Sequence, residues 1–424
     1  MRPTQRRKSI LNTQLSSTGT GLLRRHRPDY NLLIIAVILL AVGLITIYAI
    51  SPGLTQSGNV SSSYYVVKQL IAISLGVVGF AIAAYLPIEF WQKYIKQLIG
   101  LSLIAALAVR VLGQRVNGAF RWIQIGGISF QAVELIKFTL LIWLAYFLAQ
   151  QIKNGKLKDF NSTLKPIVIA LFAIGIVVAG LQSDLGSTGV MVVMMAVMCF
   201  IAGLPFKRIA IIGGIIIIGL ILAVSSSTYR RDRLFTFLHP TQNCQTTGTG
   251  YQACQAVIAV GSGGLFGKGL ARSVQDYGYL PESDNDSIFA VYAEQFGFVG
   301  VTILLCLFLA LFKRIKDIME KAPDNYTRLI VAGVLAWLAT QALINIGAMV
   351  GLLPLKGITL PLISYGGTSI VFVMVIIGLI FNISHYTKAR ITEDEESQRG
   401  SKYEDIAMRR RNGRPYYARP SYRP

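Results

Sequence analysis

Apolar runs long enough to cross a bilayer recur along the whole chain, near 31–50, 65–87, 96–113, 132–150, 165–181, 188–205, 208–228, 286–312, 328–350 and 361–386. Crossing the hydrocarbon core takes about 20 residues of helix. Only helices and closed barrels satisfy every backbone polar group there. Runs of this length without strict alternation select helices, so the fold class expected is an all-α polytopic membrane protein with about ten transmembrane helices. With 53% hydrophobic and 14% charged residues in 424, the chain is too apolar for a soluble protein of this size.

The distribution of cations predicts orientation. The first 30 residues are polar and carry Arg2, Arg6, Arg7, Lys8, Arg24, Arg25 and Arg27. The first apolar run is of full spanning length with no small-residue cleavage site, so it reads as an anchor. Placing that end in the cytoplasm puts Lys93/Lys96, Lys153/Lys156/Lys158, Lys207/Arg208, Lys313/Arg314/Lys316 and Lys388/Arg390 on the same side in strict alternation. Both termini are then cytoplasmic. Three regions follow: a basic N-terminal tail (1–30), a transmembrane domain (31–386) with a long extracytoplasmic loop (229–285), and a C-terminal tail (387–424). That last tail has too few aliphatic residues to bury a core and is expected to be disordered. The net charge of +21 lies mostly in the tails, where it favours anionic membrane lipids; a nucleic-acid partner is not expected. Cys199 and Cys306 fall within spans, while Cys244 and Cys254 share the outer loop, where a disulfide is chemically allowed. His26, His239 and His385 make no metal-binding spacing.

Charges that break this pattern point to a function. Arg110, Arg115, Arg121, Arg230, Arg231, Arg233, Lys268, Arg272 and Lys356 are stranded on the outer side. Such a surface suits a polyanion, and individual members equally suit lipid phosphates. Glu282, Asp284, Asp286 and Glu294 gather around the start of the eighth apolar run; carboxylates at a membrane boundary bind cations or take protons. Glu134 and Lys137, three apart in the fourth run, share a helix face and can pair, either as a structural bridge or facing a substrate. Asp184, in Gln182-Ser183-Asp184-Leu185-Gly186, either caps the sixth helix or faces the site. The stretch Gly261–Leu270 reads as a loop or re-entrant hairpin whose backbone N–H groups and Lys268 are available to an anion. Pro361 with Gly366-Gly367 predicts a helix break before the last run.

Taken in order, Asn117–Ile123 (NGAFRWI), Ser129–Lys137 (SFQAVELIK), Gln182–Gly186 (QSDLG), the Gly261–Leu270 loop, Tyr279–Ala290 (YLPESDNDSIFA) and Gly351–Ser369 (GLLPLKGITLPLISYGGTS) resemble the SEDS family of polytopic peptidoglycan glycosyltransferases. Arg27-Pro28-Asp29-Tyr30 and the LKGITLP run are closer to its FtsW branch than to its RodA branch. Departures from the family pattern include the loss of prolines at Ala132 and Ser183, and an extra acid at Asp284; alignment on the following Ile-Phe-Ala selects Asp286 as the family's essential aspartate. The resemblance implies polymerisation of lipid II into glycan strands with inversion, for septal wall synthesis at the bacterial plasma membrane, with Asp286 as general base. It also implies substrate contacts from Asn117, Arg121, Trp122, Glu134, Lys137, Asp184, Lys268, Glu282, Ser364, Gly366 and Gly367, of which Arg121, Lys137 and Lys268 are the candidate cations for the departing pyrophosphate. No cofactor is required by any spacing; Asp286, Glu282 and Asp284 offer hard oxygen ligands to magnesium or manganese. A class B penicillin-binding protein and other divisome proteins are the implied partners. A lipid II flippase is the alternative that the same intramembrane charges allow, and a scaffold acting through its tails would leave those charges unexplained.

Overall fold

The computed structural model describes residues 23–25, 27–55, 61, 63–116, 119–125, 128–225, 231, 235, 237 and 249–388. The chain divides into a unit Arg25–Tyr386 and a second made of Met1–Arg24 with Thr387–Pro424. Within the described residues the second unit contributes only ends of two short strands, β1 (Leu23–Arg25) and β5 (Tyr386–Lys388). The expectation of a disordered C-terminal tail falls outside the described residues, as do Asn117, Arg230, Arg233 and Cys244.

Every apolar run contains a helix among the described residues. They are α1 (Tyr30–Thr55), α2 (Tyr64–Tyr85), then, after a short α3 (Ile88–Lys93), α4 (Ile95–Leu112), α5 (Ala132–Lys153), α6 (Lys165–Ile174), α7 (Leu185–Ala202) and α8 (Phe206–Ser225). The C-terminal half adds α9 (Thr249–Ser262), α10 (Ile288–Lys321), α11 (Asn325–Met349) and α12 (Gly367–Ile383). Wider π turns flank α6 at Phe160–Leu164 and Gly175–Leu181. Among the described residues, eight helices are long and apolar enough to cross a membrane, with Gly367–Ile383 a shorter apolar one. The protein is a multi-pass membrane protein. Two features escape the apolar pattern: α9, inside the long loop, and an antiparallel sheet of β2 (Gln114–Val116), β3 (Ala119–Ile125) and β4 (Ile128–Gln131), in which Trp122 stands opposite Gln131 and Ile123 opposite Phe130.

Side-chain caps and close backbone contacts set the helix ends and their packing. Asp324 and Thr327 form a reciprocal capping box at the start of α11, with Thr327 N–H donating to Asp324 Oδ1 at 2.9 Å. At Gly378 of α12 any Cβ would come 2.5 Å from the carbonyl oxygen of Phe80 in α2, the small-residue contact that lets membrane helices approach closely. The loops sort into two ends. Those expected outside meet one another: Thr368 Oγ1 donates to Ser129 O at 2.7 Å, and Tyr365 N–H donates to Asp284 O at 2.8 Å. At the other end Asn382 Nδ2 donates to Ala83 O and Leu86 O, and Asp29 N–H donates to Ser384 Oγ.

The glycine-rich Gly261–Leu270 segment has a structural task. Helix α10 is broken at Gly297, whose φ of 64° and ψ of −166° lie outside the helical region. Around that break the loop backbone replaces the missing helical bonds: Lys268 N–H donates to Glu294 O, Gly269 N–H to Gln295 O, Phe298 N–H to Gly264 O and Val299 N–H to Leu265 O, all at 2.9–3.1 Å. A Cβ at Gly297 would lie 2.2 Å from Gly267 N, so glycine is required by both space and dihedral angle. The expectation that these N–H groups await an anion is therefore corrected: those of Gly267, Lys268 and Gly269 are bonded within the protein.

Candidate active site

The acidic stretch Leu280–Ser287 is a series of turns that ends where α10 begins, with Ser287 as N-cap residue. Glu282 takes a positive φ of 52°, a conformation few non-glycine residues adopt. Its carbonyl accepts from Asn285 N–H at 3.1 Å and Ser287 N–H at 3.0 Å, which closes the turn. The Glu282 side chain is exposed, Asp284 is half-buried and Asp286 is buried. Gln252 of α9 spans the turn: its Nε2 donates to Asp286 Oδ1 at 3.3 Å and to Ser287 Oγ at 3.0 Å, while Ser287 Oγ donates to Pro281 O at 2.9 Å. The carboxyl of Asp286 thus sits just before the first turn of α10, at the positive end of the helix dipole.

Asp284 differs. Burial against its surroundings, with the Glu282 charge second, pushes its carboxyl up to about 6. Its neighbour Tyr365 has its phenol raised, first by burial and then by Asp284.

From the opposite side the segment 358–369 encloses the turn. Ser364 Oγ donates to Asn285 O at 2.6 Å and accepts from Leu360 N–H at 2.7 Å, while Gln69 Nε2 of α2 donates to Ser364 O at 3.4 Å. Gly366 and Gly367 are the N-cap and first residue of α12, so the expected helix break before the last run is present and the helix starts only at Gly367. Beside it a groove of about 640 Å³ runs between α2 and α12. Its polar end is formed by Lys68, Ser129, Tyr365 and Thr368, and its wall by Ile71, Leu75, Val78, Ile82, Val371 and Phe372.

Deeper in the bundle Glu134 and Lys137 pair at 2.8 Å, both buried. Lys137 Nζ also donates to Gln341 Oε1 at 3.3 Å and lies 4.7 Å from the Trp337 ring centre. Gln341 then donates from Nε2 to Thr359 O and Oγ1, at 3.0 and 3.1 Å. The pair is therefore connected to the segment that encloses the acidic turn.

Other candidates serve the fold. Lys268 is ion-paired with the fully buried Glu294 at 2.6 Å, which corrects the reading of Lys268 as an available cation and separates Glu294 from the acidic cluster. A carboxylate this deep needs a neutralising partner. Asp184 caps α7: Ser187 N–H donates to Asp184 Oδ1 at 3.0 Å and Ser187 Oγ donates to Oδ2 at 2.8 Å. Trp122 is half-buried on β3 beside Arg121, whose side chain lies outside the described residues. Arg110 is exposed at the end of α4 and Lys356 is half-buried. Cys254 is disulfide-bonded, whereas Cys199 and Cys306 are free. Among the described residues no three His, Cys, Asp or Glu side chains converge on a point that could hold a metal.

Four residues of this site carry no signal in the motifs: Gln252, Gln341, Lys68 and Asn345, whose Nδ2 donates to Asp286 O at 2.7 Å. The amides at 341 and 345 were detectable as polar residues one turn apart inside an apolar helix, and Lys68 as a cation in the first turn of the second span.

The family described as Cell cycle protein (FTSW_RODA_SPOVE) matches residues 30–389. A probable peptidoglycan glycosyltransferase FtsW of Coxiella burnetii is 36% identical over 365 residues, covering 85% of this chain and 97% of that protein. Stage V sporulation protein E of Bacillus subtilis is 34% identical over 367 residues, covering 86% and 99%. Among solved structures, a chain from a peptidoglycan synthase complex that coordinates polymerization and crosslinking superposes with a TM-score of 0.69 at 25% identity, covering 84% of this chain and 97% of that one. The rod shape determining protein RodA of Thermus thermophilus gives 0.61 at 25% identity, covering 84% and 96%.

Proposed function

The chain belongs to the FtsW/RodA/SpoVE family, and on that premise we propose that it polymerises lipid II, with Asp286 as the general base. It is a peptidoglycan glycosyltransferase of bacterial cell-wall synthesis, of the FtsW type. The 4-hydroxyl of one lipid-linked disaccharide attacks the anomeric carbon of another. A new C–O bond forms as the bond to the pyrophosphate oxygen breaks, and the electron pair leaves with undecaprenyl pyrophosphate. The hydroxyl proton passes to the Asp286 carboxylate. A sugar hydroxyl is a weak nucleophile at neutral pH, and a base within hydrogen-bond reach contributes roughly 10²–10⁴ in rate.

The observation that carries this reading is the placement of Asp286: a buried carboxylate at the amino end of α10, oriented by Gln252 and seated in a turn held from the α11–α12 side. Asp284, whose carboxyl burial pushes up to about 6, is also mainly ionised and basic at neutral pH; the match of the following Ile288-Phe289-Ala290 to the family pattern is what gives the role to Asp286. The groove between α2 and α12 suits the polyprenyl chain, with Lys68 at its polar end near the phosphates. Lys137 serves the site through Gln341, and Arg121 is the stranded cation best placed by its motif to meet the pyrophosphate.

The same reading puts the acidic turn outside the cytoplasmic membrane and both termini within the cytoplasm, with the protein at the division septum. Its partners are a class B penicillin-binding protein, which cross-links the new strand, and other division proteins. The test uses full-length protein in lipid nanodiscs with labelled lipid II and its cognate transpeptidase. Glycan chains should accumulate, resistant to penicillin and sensitive to a muramidase. Movement of lipid II across vesicles with no polymer formed would overturn the assignment.

A further inference from the structure

Three consecutive carbonyls of the acidic turn are each held by a different donor. Asp284 O accepts from Tyr365 N–H at 2.8 Å, Asn285 O from Ser364 Oγ at 2.6 Å, and Asp286 O from Asn345 Nδ2 at 2.7 Å. The first two donors lie in the glycine-containing segment before α12. The third comes from within α11, from a side chain that is 1% exposed. Its amide makes a second bond of 2.7 Å, to Ile358 O. One turn earlier on the same helix face, Gln341 holds the adjacent carbonyl, Thr359 O. Helix α11 therefore fixes two neighbouring peptides of the enclosing segment with two amides, and one of these amides also fixes the peptide of Asp286.

We propose that Asn345 is a positioning residue for the glycosyl transfer, holding Asp286 at the distance and angle at which its carboxylate meets the acceptor hydroxyl. This rests on the reading of Asp286 as the base. The two N–H bonds of one planar amide lock Asn345 between Asp286 and Ile358, so the turn cannot shift without the enclosing segment shifting with it. Tyr365 and Ser364 hold the two residues before Asp286; Asn345 alone of the three reaches the peptide of Asp286 itself. Displacement of a reacting group by about 1 Å costs on the order of 10²-fold in rate. Asn345 touches neither the carboxylate nor, on this geometry, the sugar, so its loss should appear in kcat and leave KM alone.

The fold supplies its own control. Asn382, 6% exposed, makes the same bond pattern at the opposite end of the bundle, donating from Nδ2 to Ala83 O at 3.1 Å and Leu86 O at 2.6 Å. The chemistry is matched and the distance from Asp286 is that of the whole membrane domain. The experiment compares Asn345→Leu, Asn382→Leu and Asp286→Asn in the full-length protein with its transpeptidase, recording kcat and KM for lipid II together with Tm. Asn345→Leu should lower kcat by roughly 10–100-fold with KM within about twofold, whereas Asn382→Leu, with a fall in Tm similar to that of Asn345→Leu, should leave kcat within about twofold of wild type. If Asn345→Leu does not fold, Asn345→Ser, which removes the same amide with less disturbance, carries the same expectation. A wild-type kcat in the Asn345 variants, a loss confined to KM, or an equal kcat loss in Asn382→Leu would overturn the positioning role while Asp286→Asn stays inactive. An active Asp286→Asn would instead remove the base itself, and the two failures are told apart by that variant alone.

Discussion

Among the described residues two buried carboxylates are paired with lysines, and the two pairs are built differently. Glu294 has both oxygens occupied: Oε1 accepts from Lys268 Nζ, Ser262 Oγ and Val274 N–H, and Oε2 from Ser273 Oγ and Gln275 N–H. Glu134 has one oxygen on Lys137, and its other, Oε2, is buried with no partner among the described residues. The first pair staples the loop 262–275 to α10 beside the Gly297 break. The second sends its lysine onward to Gln341 and so to Thr359, behind the acidic turn. A saturated carboxylate holds a fold together; one with an unmet acceptor, coupled by its partner to a site, costs stability and is retained where it serves a purpose.

Breaking the pairs should expose this difference. The largest effect is expected from Glu294→Ala, which leaves Lys268, Ser273 and two backbone N–H groups without this acceptor; breaking a buried pair typically costs about 3–5 kcal/mol, and the upper end should apply, read as a large fall in Tm with polymerisation lost. Lys137→Met alone should cost about 3 kcal/mol, because it strands Glu134 in the bundle. The double variant Glu134→Leu/Lys137→Met should then recover to within about 1 kcal/mol of wild type while remaining poorly active, since Gln341 and Thr359 have lost their link. Recovery of stability with full activity would make that pair purely structural. Glu294→Leu/Lys268→Met should not recover, since Val274 N–H and Gln275 N–H stay unpaired.

The smallest effect concerns Asp276, which shares Ser273 with Glu294. Burial, with the Glu294 charge adding to it and the Ser273 bond opposing, pushes its carboxyl up to about 6, and Oδ1 has no partner among the described residues. Its folded form binds the proton more tightly than the unfolded chain does, so between about pH 4 and 6 stability falls as pH rises, and the penalty is complete above that window. Asp276→Asn should therefore raise Tm at pH 8 and leave it unchanged near pH 4, as thermal melts across pH would show. An equal gain at both pH values would mean that the charge is not the cause.

How much of this was legible beforehand follows from the range of each interaction. The helices were visible because hydrocarbon imposes a local requirement on every residue that crosses it. The Glu134–Lys137 pair was visible because three residues apart on a helix means the same face. Asp184 left two readings open, and its bonds to Ser187 show it as a cap. Lys268 and Glu294 are 26 residues apart, and nothing local joins them, so Lys268 read as an available cation when it is held. The glycines of Gly261–Leu270 signalled unusual backbone without saying that its N–H groups serve a broken helix. Asn345 and Asp286, 59 residues apart, meet only because α11 packs beside the turn. Helix α9 and the sheet β2–β4 were missed because hydropathy is read for spans, and both lie in connecting segments.

The central claim is that the buried Asp286 carboxylate accepts the proton of the attacking hydroxyl. Single-turnover polymerisation of labelled lipid II by wild type and by Asp286→Asn, in nanodiscs of the same lipid with the same transpeptidase and at matched Tm, tests it most directly. The isosteric amide keeps shape and loses basicity, so wild type should form glycan strands and the variant none, with lipid II binding retained. Strand formation by Asp286→Asn at the wild-type rate would contradict the claim.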